Sequence, residues 1–96
     1  MEIRNVKHRG LKNFIEKNDA KGLPADRLKK IRQVLGFLLD MDAIEELFDP
    51  PKFKAHKLAG DRADTYSLSV SGNWRITFHY DAEAKELYDM DYEDYH

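Results

Sequence analysis

From residue 66 to residue 80 the chain alternates polar and apolar side chains around a central glycine turn, and that pattern leaves few choices of fold. Tyr66, Leu68 and Val70 alternate with Ser67 and Ser69, and Trp74, Ile76, Phe78 and Tyr80 alternate with Arg75, Thr77 and His79. A period of two is the signature of a strand, whose successive side chains leave opposite faces. Ser71-Gly72-Asn73, between the two runs, suits a tight turn because Gly and Asn tolerate positive φ. The spacing therefore predicts an antiparallel hairpin with one apolar and one polar face. Residues 81–85 read as a second turn and residues 86–92 as a further strand, with Tyr88, Met90 and Tyr92 on one side. The apolar face needs a cover, and the polar face, carrying Ser67, Ser69, Arg75, Thr77 and His79, is free to be an open platform for a ligand.

The first half of the chain supplies the cover. Residues 3–6 form a short first-strand candidate. Residues 8–18 read as a helix with Leu11, Phe14 and Ile15 on one face, although Gly10 works against its first turn. Pro24 suits the first turn of a longer helix, where its missing N–H has no partner to lose. Leu28, Ile31, Val34, Leu35, Leu38 and Leu39 follow at steps of three and four, a wide apolar stripe that must pack on something. Asp42 with Glu45 resembles a capping box for a short helix ending near Phe48, and Asp49-Pro50-Pro51 stops it. Helices precede an antiparallel sheet, so the expected class is α+β: N-terminal helices on one face of a small antiparallel sheet, in one domain over residues 1–96.

Several kinds of chemistry are excluded at this level. The chain has no cysteine, hence no disulfide, thiolate nucleophile or cysteine-ligated zinc. No glycine-rich phosphate loop or His-Glu-x-x-His occurs, and His8, His56, His79 and His96 lack ligand spacing, so no metal and no cofactor is expected. The longest apolar run, residues 34–39, is far too short to span a bilayer. The first residues carry no apolar signal core, which leads to the expectation of a cytoplasmic protein with no membrane partner. The net charge of -2 conceals blocks: the first 35 residues are basic on balance, 36–50 acidic, 51–62 basic and 63–96 acidic. Basic blocks of this kind suit either solvated helix faces or a local polyanion contact.

Polar groups that could do chemistry gather in the second half. His56 and Lys57 precede the hairpin with Arg62, Arg75 lies on its polar face, and Asp94, Tyr95 and His96 follow the last strand. Imidazoles, guanidinium groups, a phenol and a carboxylate are enough to cleave RNA: one group takes the proton of a 2′-hydroxyl, another protonates the leaving 5′-oxygen, and cations stabilise charge on phosphorus. Each also has a plainer reading. Arg62 and Arg75 could pair with Asp61, Asp64 or Asp81, and His56 could make one loop hydrogen bond. The aromatics Trp74, Phe78, Tyr80, Tyr88 and Tyr92 fit a core better than a base-stacking platform.

Leu58-Ala59-Gly60-Asp61-Arg62, Tyr66-Ser67-Leu68-Ser69-Val70, Asn73-Trp74-Arg75-Ile76-Thr77-Phe78 and Asp91-Tyr92-Glu93-Asp94-Tyr95-His96 closely resemble the HigB toxins of toxin–antitoxin modules, members of the RelE/ParE superfamily. The resemblance covers nearly the whole chain. It implies a RelE-like fold and an endonuclease that cuts mRNA in the A site of translating ribosomes. It implies catalytic roles for His56, Asp94, Tyr95 and His96, and phosphate contacts from Arg62 and Arg75. It also implies a HigA-like helix-turn-helix antitoxin as partner, with operator DNA bound only through the toxin–antitoxin complex. Two positions depart from the pattern: Lys57 stands where some relatives have proline, and Ala59 where some have lysine. Lys57 is the neighbouring cation for that role. The alternative is a catalytically weak, toxin-like binding module acting mainly as antitoxin partner and corepressor. The Lys57/Ala59 difference favours it, as would the acidic run from Asp81 to Glu93 if that run lined the cleft.

Overall fold

The computed structural model describes residues 1–95. Five strands form one sheet in the order β1-β5-β4-β3-β2: β1 (Glu2–Ile3), β2 (His56–Lys57), β3 (Tyr66–Ser71), β4 (Trp74–Asp81) and β5 (Glu86–Asp94). Two helices, α1 (Arg9–Lys17) and α2 (Leu28–Asp40), cover its apolar face. The class is the expected α+β. The sheet is mixed rather than wholly antiparallel, because β1 pairs with β5 in parallel. Two paired residues are too few for periodicity to reveal a strand's direction, and the expected strand 3–6 shrinks to Glu2–Ile3 plus an isolated bridge from Val6 to Met90.

The core follows the two periodicities. Ile31, Val34, Leu35 and Leu38 of α2 and Leu11 and Phe14 of α1 pack against Leu68, Val70, Ile76 and Phe78 of the hairpin. Pro24 precedes a 3-10 turn, Ala25–Arg27, which runs into α2. α1 starts at His8, whose Nδ1 accepts the Leu11 N–H at 3.1 Å, and ends at Asn18 in the left-handed region. The short helix after α2 is a 3-10 turn, Ile44–Leu47, and its cap sits one residue later than the Asp42/Glu45 spacing suggests. The Glu46 carboxylate accepts from the N–H groups of Asp42 and Ala43, each at 2.9 Å, and these bonds hold it below the usual carboxylate range. Ala43 has no side-chain acceptor to complete a reciprocal box.

Register in β5 departs from simple alternation. Thr77 pairs with Asp91 and His79 with Tyr88, which leaves Phe78 facing both Asp89 and Met90. Asp89 takes the positive φ of 50° that this bulge requires. Its N–H donates to Asn5 Oδ1 at 3.0 Å, and Asn5 Nδ2 donates back to Asp89 Oδ1 at 2.9 Å. The extra residue moves Tyr88 off the core face, where it was expected with Met90 and Tyr92, and Leu87 is buried there instead. Tyr88 stacks on His79 on the other face, with ring centroids 5.3 Å apart.

Gly10 is explained by a close approach. A Cβ there would be driven into the Gly22 carbonyl, and one on Gly22 would stand 2.6 Å from Gly10 Cα. Both obstacles are backbone and cannot swing aside. Gly10→Ala should therefore destabilise the protein by about 2–3 kcal/mol, the upper part of the over-packing range. Gly36, in the middle of α2, is the control: an added Cβ meets nothing within 4 Å. Gly36→Ala should stabilise by up to about 1 kcal/mol through helix propensity. Urea unfolding of the two variants measures both signs.

Candidate active site

The register aligns the polar side chains into rows across the sheet. Ser69, Arg75 and Glu93 form one row, and His56, Ser67, Thr77 and Asp91 form the next. His79 and Tyr88 form a third. This is the face that the helices leave uncovered, as the alternation predicts. It is less open than expected: Ser67 and Thr77, at its centre, are buried, Thr77 under a charged pair that the sequence does not announce.

That pair joins Arg62 to Glu93. Arg62 Nη1 donates to Glu93 Oε1 and Nη2 to Oε2, both at 2.8 Å, in a two-pronged arrangement. The Thr77 hydroxyl donates to Oε2 as well. Hydrogen bonds from Arg62 hold the Glu93 carboxyl below its usual range against the opposing effect of burial, and Glu93 in turn raises Arg62. Arg62 is thus paired, but not with Asp61 or Asp64. The 3-10 turn Gly60–Arg62, between β2 and β3, aims it across the sheet at β5. Tyr95 stands on the same side: its N–H donates to the Asn73 carbonyl at 2.8 Å, and the Arg62 guanidinium carbon lies 5.6 Å from its ring centroid.

Arg75 is the opposite case. Its Nε and Nη1 are buried with no hydrogen-bond partner among the described residues, and the buried Ser67 Oγ, one row away, has none either. Unpaired buried donors are costly, and more so when charged. Both nitrogens are closed off from solvent as they stand, so an anion reaches them only when neighbouring side chains shift, and such orphaned donors call for a bound ion or ordered water to satisfy them.

His56 begins β2 at the edge of this face, two strand spacings or roughly 10 Å from Thr77 in its row. The loop before it is bent: Phe53 and Lys54 both have positive φ, 52° and 53°. The Phe53 carbonyl accepts from Ser69 N–H at 2.7 Å, which ties that bend to β3. His56 Nδ1 lies 3.0 Å from the Lys54 carbonyl. A carbonyl can only accept, so Nδ1 carries the proton, and in the neutral ring Nε2 is the free base.

The other expected site residues are dispersed. Lys57 pairs in register with Tyr66, and its Nζ sits 5.1 Å from that ring, on the face opposite His56, Arg62 and Arg75. Asp94 is exposed and pairs in register with Trp74, again on the other parity from Arg75 and Glu93. His96 lies outside the described residues. Among the aromatics, Phe78 and Tyr92 are core, whereas Trp74 stacks on Tyr92 with 41% of its surface exposed. Glu93 is the member that sequence reasoning passed over. Its strand parity, shared with Tyr95, was a usable signal, but its arginine partner was not visible from spacing. Of the acidic run, Asp91 and Glu93 do face this site. Asp81 instead pairs with Arg4 at 2.5 Å, which lowers its carboxyl below the usual range, and Glu86 pairs with Arg4 at 2.8 Å.

No helix among the described residues is long and apolar enough to cross a membrane. Residues 4–96 match the family model of the RelE-like toxin of type II toxin-antitoxin system HigB. The endoribonuclease HigB of Proteus vulgaris is similar, 39% identical over 94 residues that span 98% of this chain and 99% of that protein. With a RelE-like arrangement of helices on one face and a polar sheet face on the other, the chain belongs to the HigB-like toxins of type II toxin–antitoxin systems.

Proposed function

We propose that this toxin is an endoribonuclease that cleaves mRNA on translating ribosomes, at the A site. The observation that carries the proposal is Arg75, whose buried, unpartnered donors on the uncovered sheet face suit a phosphate in which negative charge is building. In the reaction, the RNA 2′-oxygen attacks phosphorus and the bond to the 5′-oxygen breaks. A base takes the 2′ proton, and an acid protonates the leaving oxygen, giving a 2′,3′-cyclic phosphate and a 5′-hydroxyl. His56, with Nε2 free, has the chemistry of the base, and Asp94, Tyr95 and His96 supply the remaining acid–base and positioning groups. No step calls on a metal ion. Lys57, on the opposite face of the sheet with its Nζ beside the Tyr66 ring, is left out of the contacts with the scissile phosphate. The 39% identity to an endoribonuclease supports the same reading. A HigA-like helix-turn-helix antitoxin is the proposed partner, with operator DNA reached through the complex, and the cytoplasm is the proposed location.

A second reading, a weakly active binding module, draws on the placement of Asp91 and Glu93 on the same face. Cleavage of mRNA by purified protein on programmed ribosomes separates the two. The nuclease reading expects cuts with 5′-hydroxyl ends from the wild type and none from His96→Ala. No cutting by a folded wild type in any codon context leaves the binding module.

A further inference from the structure

The two arginines on the polar face are in opposite states. Arg62 has spent both terminal nitrogens on Glu93, while Arg75 has two buried donors unspent. A carboxylate and a phosphate present the same two-oxygen edge to a guanidinium, so Glu93 occupies the place on Arg62 that a phosphate would take. Glu93 is also a hub: it joins the 3-10 turn through Arg62, β4 through Thr77, and its own strand β5. Two residues further on in the same direction lies Tyr95, with its ring beside the Arg62 guanidinium.

We infer that Glu93 is a positioning residue, which locks Arg62 against the Tyr95 ring so that Arg62 orders Tyr95 and Arg75 alone binds the scissile phosphate. The inference deepens the ribonuclease reading and rests on it for its kinetic consequences. It removes Arg62 from the RNA contacts that the family resemblance implies. It gives the acidic residue nearest the site a constructive role in place of a repulsive one. Its geometry also makes sense of Thr77, a buried hydroxyl in mid-sheet that donates to the same carboxylate oxygen as Arg62 Nη2.

The test compares Glu93→Gln, Arg62→Gln and the double variant in three measurements. The first is kcat and KM for mRNA cleavage on programmed ribosomes. The second is the salt dependence of binding to an mRNA made uncleavable by 2′-O-methylation. The third is the NMR signal of the Tyr95 ring. The inference expects kcat to fall about ten- to a hundredfold in each single variant, as misplaced catalytic groups do. It expects KM and the salt slope to stay as in the wild type, the double variant to be no worse than the worse single one, and the Tyr95 signal to shift in all three. The result that overturns it is a higher KM with unchanged kcat in Arg62→Gln and a salt slope shallower by about one phosphate contact, with tighter RNA binding by Glu93→Gln. Arg62 would then be a phosphate ligand and Glu93 its competitor. Thr77→Val, which deletes one donor to Glu93, covers the case in which the charge variants do not fold: a smaller fall in kcat with a shifted Tyr95 signal supports the inference, and an unmoved signal overturns it. A wild type that cuts no RNA overturns the ribonuclease reading, while the Tyr95 signal still judges the lock itself.

Discussion

Arg75→Ala should lower mRNA cleavage by about a hundred- to a thousandfold and leave the protein nearly as stable as the wild type, or more so. The activity loss is that of deleting one preorganised donor from a site where negative charge develops, about 3–4 kcal/mol. The stability side follows from the same orphaned atoms. Nε and Nη1 lose water on folding and gain no partner, so their removal relieves a penalty. Loss of the packed aliphatic stem works against that relief, and the net change should stay within about 1 kcal/mol of zero. Initial rates on programmed ribosomes and urea midpoints measure the two quantities. A fall in stability of several kcal/mol would mean that the guanidinium holds the sheet together, and the phosphate assignment would lose its basis.

Phe78→Ala should have the opposite profile, a large loss of stability. Phe78 is fully buried, its ring stacks on Tyr66 at 5.6 Å with planes 7° apart, and it fills the space opposite the β5 bulge. Phe-to-Ala changes in a core that cannot collapse cost about 3–5 kcal/mol. A domain of this size has only about 5–15 kcal/mol in total, so the melting temperature should drop by at least about 12 °C. Trp74→Ala, from a side chain 41% exposed on the same strand, should cost clearly less. Thermal melts of the two variants side by side check the ordering, and equal losses would contradict the packing described for β4.

The sequence was most legible where one periodicity runs unbroken. The alternation from Tyr66 to Tyr80 and the stripe from Leu28 to Leu38 place the hairpin, the long helix and the face between them. It was least legible where a partner distant in the chain decides. The β5 bulge depends on a positive φ at Asp89, an aspartate rather than a glycine, pinned by Asn5. A count by twos through Tyr88, Met90 and Tyr92 cannot detect that. The cap on the 3-10 turn uses Glu46 because its carboxylate reaches two N–H groups at once, which spacing alone does not distinguish from Glu45. In the site, the parity of Arg75 could be counted from the sequence, whereas the faces of His56 and Lys57 could not, since the irregular stretch 58–65 separates them from β3. The capture of Arg62 by Glu93 could not, since the turn that aims Arg62 has no periodicity.

The pairing of the first strand with the last bears on how the protein comes into being. Glu2 and Ile3 find their neighbours at Glu86 and Leu87, and Asn5 meets Asp89, 84 positions along the chain. Such closures come late and slowly, because the loop entropy is lost before the contact is gained. Synthesis proceeds from the amino end. While the chain is being made, the first strand has nothing to pair with and the central strand lacks one flank. Glu93 and Tyr95 do not yet exist. A growing chain therefore carries neither a closed sheet nor an assembled site, and both wait on the synthesis of β5 and of Tyr95 just after it.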